Sequence, residues 1–225
     1  MQVVYEDNHI IVVNKQSGEI VQGDKTGDCP LSDLVKDYLK EKYHKPGDVF
    51  LGVAHRLDRP VSGLVVFART SKALSRLNKM FAEGQVHKTY WAITPLASPS
   101  TAPEATVTHW LTRNEQQNKS YAHDHEVPGS KEARLHYRVL ARGERYQLLE
   151  VQLLTGRHHQ IRCQLSAIGL PIRGDLKYGA RRSNPDGSIS LLSRHLEFVH
   201  PVSKVTISLD APLPPAPLWQ ALCPS

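Results

Sequence analysis

Apolar and polar positions change period several times along this chain, and each change predicts an element. VVYEDNHIIVV places two β-branched runs around a Glu-Asp-Asn-His cluster, the pattern of a short hairpin. From Leu31 to Tyr43 the period becomes helical: Leu31, Leu34, Val35, Tyr38 and Leu39 share one face, with Pro30 suited to the first turn. Val61 to Thr70 (VSGLVVFART) is an apolar run with the character of a buried strand. Thr70 or Ser71 then caps a helix that turns Ala73, Leu74, Leu77, Met80 and Phe81 inward and stops at Gly84. Strand composition returns at VHKTYWAIT, Val86 to Thr94.

Pro95 to Pro103 reads as a Pro/Ser/Thr loop, and Thr112 to Lys131 as a long, polar, mobile excursion, an ordinary variable loop or else a binding loop. Alternation resumes in ARLHYRVLA and YQLLEVQLL, a hairpin turned by Arg-Gly-Glu-Arg. Thr155 is placed to cap a helix running to Ile168, with Gly169 as its stop. HLEFV and KVTISL complete the strands, and PLPPAP leads into a short final segment with Trp219 and Leu222. Strands outnumber helices and are joined mostly by hairpin-length turns. The expected class is therefore α+β: a mixed, mainly antiparallel sheet with a few helices packed on it, in a single domain of residues 1–225.

Composition narrows the picture further. At 225 residues the chain buries enough surface to need no staples. Its cysteines, Cys29, Cys163 and Cys223, are odd in number and far apart, which argues against a disulfide framework or a cysteine zinc site. The polar N-terminus is unlike a signal peptide, and no apolar run approaches the ~18 residues of a membrane span, so a cytoplasmic protein with no membrane partner is expected. A net charge of +6 fits a polyanionic partner or a solvated basic surface equally well.

Three stretches hold more than packing. In AHRLDRPVSG, Asp58 sits between Arg56 and Arg59 on a loop that Pro60 stiffens just ahead of a buried strand; it is either a functional carboxylate or half of a local surface pair. In TGRHHQIRCQL, a helix capped by Thr155 puts His158 and Arg162 on one face beside an apolar stripe of Ile161 and Leu165. An arginine so placed has as its natural mate a carboxylate from elsewhere in the chain; the other reading is a solvated basic helix. The adjacent His158 and His159 point about 100° apart on a helix and chelate poorly. In HKTYWAI, strand alternation puts Lys88, Tyr90 and Ala92 on one face and Thr89, Trp91 and Ile93 on the other, so one aromatic faces the core and the other elsewhere. No P-loop, dinucleotide fingerprint or GxSxG elbow is present.

In their order, HRLDRPVSGLVVFART, KTYWA, GRHHQIR, GDLKYG and LEFVHP make the chain resemble the RluA-type pseudouridine synthases over about Val3 to Leu209. The resemblance implies a catalytic domain on a central mixed sheet with a cleft across its middle. Its implied activity is isomerisation of uridine in RNA to pseudouridine without metal or organic cofactor. It assigns Asp58 as the essential aspartate, Arg162 as its basic partner, Tyr90 as the aromatic that packs on the target base, Arg56 as the side chain that helps extrude it, and Leu191 as a pocket-lining position. The chemistry agrees: the C1′–N1 bond must break and C5 rejoin C1′, which calls for a nucleophile able to attack and leave again, on a base already out of its stack.

His158, Gln164 and Leu192 depart from the residues usual in the family, which bears on substrate identity rather than chemistry. No S4-type RNA-binding domain precedes Val3, so recognition is expected to rest on the catalytic domain, acting as a monomer on a stem-loop of ribosomal or transfer RNA. The competing class is a non-catalytic RNA-binding module on the same scaffold. A metallohydrolase is a third reading.

Overall fold

The first hairpin forms where its β-branched runs put it: β1 (Gln2–Glu6) pairs antiparallel with β2 (Ile10–Lys15), and Asp7 Oδ1 accepts from His9 N and Ile10 N to close the turn. The computed structural model describes residues 1–24, 26–99 and 101–223, in two compact units. One holds residues 1–87 with 193–212; the other holds 88–192 with the segment from Leu213 onward.

In the first unit, α1 (Leu31–Lys42) and α2 (Ser71–Ala82) occupy the predicted stretches. Thr70 caps α2 by accepting from Ala73 N at 3.1 Å, and Gly84, at φ +70°, takes the left-handed step beyond its end. A two-residue strand, β3 (Gly52–Val53), and β2 both pair antiparallel with β4 (Ser62–Ala68); β10 (Leu191–Val199) lies on the other side of β4 and pairs antiparallel with β11 (Thr206–Asp210). Gly63 explains the glycine of RPVSG. At φ +114° a side chain there would begin 2.3 Å from Ser193 O and 2.7 Å from Ser193 N, so β4 and β10 approach too closely for any Cβ.

In the second unit the strand order is β5 (His87–Pro95), β9 (Tyr146–Leu153), β8 (Lys131–Arg142), β6 (Glu104–Asn114), β7 (Lys119–His123), antiparallel throughout. α3 (Gln160–Ala167) lies against this sheet, with Cys163 in a core of Leu111, Ala133 and Tyr178. α4 (Pro217–Leu222) buries Trp219 and Leu222. The class is α+β, as expected. No helix among the described residues is long and apolar enough to cross a membrane.

Two expectations are corrected. Much of the polar stretch from Thr112 to Lys131 is an ordered hairpin, β6–β7, not a mobile excursion. It is fastened by polar contacts that hydropathy does not register: buried Ser120 donates its N–H to Tyr178 Oη at 2.8 Å, and its Oγ is 2.9 Å from His158 Nδ1. The second correction is the start of α3, five residues after Thr155. The Thr155 hydroxyl accepts from Arg134 N at 2.9 Å and donates to Gln160 Oε1 at 2.8 Å, so it ties the turn to β8 instead of capping the helix. His158 therefore lies outside α3 and shares no helical face with Arg162, and His159 enters the helix in the left-handed conformation, φ 51°.

Candidate active site

Asp58, half-buried, ends the loop between β3 and β4 with a tight turn: Val61 N donates to Asp58 O at 3.0 Å. Three successive carbonyls beyond it are held by one segment of chain. Lys15 Nζ donates to Arg59 O (3.1 Å) and Val61 O (2.6 Å), Gly18 N donates to Arg59 O (2.8 Å), and Ser17 Oγ donates to Pro60 O (3.2 Å). The rigidity read from Pro60 alone is thus mainly a clamp from residues 15–18. Lys15 is fully buried at the end of the apolar run IIVVN. Burial pushes its pKa down to about 8, opposed by the charges of Glu19 and Asp58.

The two arginines beside Asp58 differ. Arg59 Nη2 lies 2.6 Å from Asp28 Oδ2 in a pair half open to solvent, an ordinary surface bridge. Arg56 is exposed, and among the described residues no carboxylate pairs with it, which leaves its charge available to a ligand. The preceding His55 accepts from Val66 N at 3.0 Å and stacks on Phe81, pinning the loop to β4 and α2.

Tyr90 and Arg162 belong to the second unit. Tyr90, opposite Val151 in the β5–β9 ladder, is 7% exposed, while Trp91 on the other face is only half-buried; of the two aromatics it is Tyr90 that turns inward. Lys88, two residues before it, has its pKa lowered by burial, and its Nζ lies 3.6 Å from where a Gly156 side chain would begin, so KTYWA and GRHHQIR come together.

Arg162 is buried and meets a carboxylate from its own unit. Its Nε donates to Asp175 Oδ2 at 2.7 Å and its Nη2 to Asp175 Oδ1 at 2.9 Å, a bidentate pair with side chains 6% and 1% exposed. The guanidinium carbon lies 5.1 Å from the Tyr178 ring centre. The Tyr178 hydroxyl is 2.9 Å from His159 Nδ1 and, by burial above all, its pKa is raised to about 12. His158 and His159 stack at 3.7 Å between ring centres, with His158 Nε2 3.0 Å from Asn118 Oδ1. Leu191 is buried at the start of β10.

Sequence reasoning missed Lys15 and Asp175. A lysine closing an apolar strand was a readable signal for the first. An acid inside GDLKYG, a motif with no role yet attached, was the signal for the second.

Comparison with known proteins supplies the remaining information. The profile of the family described as RNA pseudouridylate synthase matches residues 9–167. Ribosomal large subunit pseudouridine synthase D of Pseudomonas aeruginosa is 33% identical over 97% of this chain and 70% of its own length. The synthase D of Xylella fastidiosa is 32% identical over 95% of this chain and 66% of its own. The chain thus spans about two thirds of the length of such relatives. Among solved structures, human RNA Pseudouridylate Synthase Domain Containing 4 superposes with a TM-score of 0.77 at 23% identity, covering 95% of this chain and 89% of that one, a likeness of fold.

Proposed function

The chain belongs to the RNA pseudouridylate synthase family, in its RluA-type branch, and from that premise we propose that it isomerises chosen uridines of ribosomal or transfer RNA to pseudouridine. The observation that carries this reading is the clamped turn at Asp58: a half-buried carboxylate on a loop whose next three carbonyls are all fastened. Such fixing suits a nucleophile that must attack and depart along one line. The chain acts on a stem-loop and as a monomer.

In the reaction the C1′–N1 bond breaks and a C1′–C5 bond forms. The C5 hydrogen leaves as a proton and N1 gains one, so no electrons are exchanged and no cofactor is called for. Asp58 is the nucleophile. Arg162 is the basic residue that partners it. Arg56, exposed and cationic, fills the gap left by the flipped nucleotide. Tyr90 packs on the base, a contact worth about 1–3 kcal/mol.

Two functions are separated by one experiment. Tritium at uridine C5 is released only when pseudouridine forms, so unmodified large-subunit ribosomal and transfer RNA transcripts labelled there are incubated with the wild type and with Asp58→Asn. Release by the wild type alone supports the assignment. Release by neither favours a non-catalytic RNA-binding module, and equal release by both removes Asp58 from its role.

A further inference from the structure

GDLKYG, Gly174 to Gly179, forms a closed turn with no part yet in the chemistry. Asp175 O accepts from Tyr178 N (3.1 Å) and Ala180 N (3.0 Å), and Gly179 completes the turn at φ +96°. Ser166 Oγ donates to Tyr178 O at 2.7 Å, which fastens the turn to α3. Gly174, at φ +89°, leaves room for the 184–188 loop: a side chain there would start 2.7 Å from Ser188 O.

The turn presents two groups to one arginine. Asp175 takes the Nε–Nη2 edge of Arg162 side-on, and the Tyr178 ring lies against the guanidinium. The ring is itself fixed, because its hydroxyl accepts from Ser120 N and is paired with His159 Nδ1. A buried arginine with four rotatable bonds is therefore confined on two sides. A buried ion pair is weak evidence for stability, whereas the fixed geometry it imposes is a distinct use.

We infer that Asp175 and Tyr178 are positioning residues that hold the Arg162 guanidinium in one orientation for the isomerisation. The inference rests on the reading that Arg162 is the basic partner of Asp58. With its Nε–Nη2 edge taken by Asp175, Arg162 has the plane of its guanidinium fixed within its own unit.

The test measures tritium release from the labelled transcripts by the full chain. Asp175→Asn is expected to lower kcat by roughly 10- to 100-fold, as removal of an orienting partner typically does, with KM for RNA changed less than about 3-fold. Tyr178→Phe, which keeps the ring face but loses the hydroxyl's ties to Ser120 and His159, is expected to recover only part of what Tyr178→Leu loses. Arg162→Met and Arg162→Met/Asp175→Asn should share the same kcat, because Asp175 acts only through Arg162. Losses that multiply in the double variant would overturn the inference, as would an Asp175→Asn enzyme of wild-type kcat. The nitrogen-15 NMR signal of the Arg162 Nε–H, protected from exchange in the wild type and unprotected in Asp175→Asn, reads the anchor without activity; unchanged protection would overturn it too. Absence of release by the wild type would overturn the functional reading, and this role with it, while that signal still reported the anchor.

Discussion

Replacing Gly63 by alanine tests whether the glycine of RPVSG is steric. The new Cβ would lie 2.3 Å from Ser193 O, 2.7 Å from Ser193 N and 2.8 Å from Ser193 C, all backbone atoms with no side-chain rotation to relieve them. Cβ contacts under 3.0 Å are essentially never found, so β4 and β10 must part by about 0.7 Å. Overpacking of this kind costs about 1–3 kcal/mol, and an alanine held at positive φ adds about 1–2 kcal/mol. Strained ladder bonds, and the bond from Ser193 Oγ to Leu64 O, each forfeit up to about 1 kcal/mol. A loss of about 3–6 kcal/mol follows. Gly84 is the internal control: it has φ +70° but nothing within 4 Å of its Cβ position, so Gly84→Ala should cost only about 1 kcal/mol. In urea denaturation followed by circular dichroism, with m of roughly 2–3 kcal/mol/M, Gly63→Ala should lower the midpoint by about 1–3 M and Gly84→Ala by no more than about 0.5 M. Equal shifts for the two variants would refute the argument, since both share the backbone strain and only one has the clash.

Lys15→Met removes three donated hydrogen bonds, to Gln16 O, Arg59 O and Val61 O, while relieving the cost of a buried charge. A net loss of about 2–4 kcal/mol and a sharp drop in tritium release are expected; unaltered activity would show that the clamp is dispensable. Arg59→Met should change stability by no more than about 0.5 kcal/mol, because its bridge to Asp28 is half exposed, and should cost far less activity than Arg162→Met; comparable activity losses would contradict the roles given to the two. His200 is fully buried. Its Nδ1 accepts from Val202 N and Ser203 N, so the neutral ring has its proton on Nε2, 2.9 Å from Asp7 Oδ2. Burial lowers its pKa below 6.5, against the opposing charge of Asp7. Below pH 6.5 the unfolded chain binds a proton that the native state refuses, so stability should fall as the pH drops from that value towards the folded pKa. His200→Asn should flatten that limb in thermal melts, and an unchanged slope would exclude His200 as its source.

Periodicity located the elements whose order comes from apolar burial. The β1–β2 hairpin, α1, α2, β4, β5 and the β8–β9 hairpin all lie on their predicted stretches, because a face of aliphatic side chains can be buried in only one phase. What escaped was polar. Residues 119–123 pair as β7 although little in them is apolar, since Ser120 is held by Tyr178 and His158 from distant parts of the chain. The helix expected from Thr155 begins at Gln160 because Arg134, twenty-one residues earlier, competes for the Thr155 hydroxyl.

The candidate site divides the same way. The family resemblance carried by the order of the motifs singled out Asp58, Arg56, Tyr90 and Arg162, where the residue types alone left local surface pairs and a solvated helix open. Whether a charge is spent locally is a matter of distances, and those only the tertiary structure supplied. It assigned Arg59 to Asp28 and the Nε–Nη2 edge of Arg162 to Asp175, and it put the ammonium of Lys15 beneath the Asp58 turn. Sequence names the groups able to carry charge. Which of them meet is decided by hydrogen bonds and ion pairs between segments 13 to 46 residues apart, where no local pattern reaches.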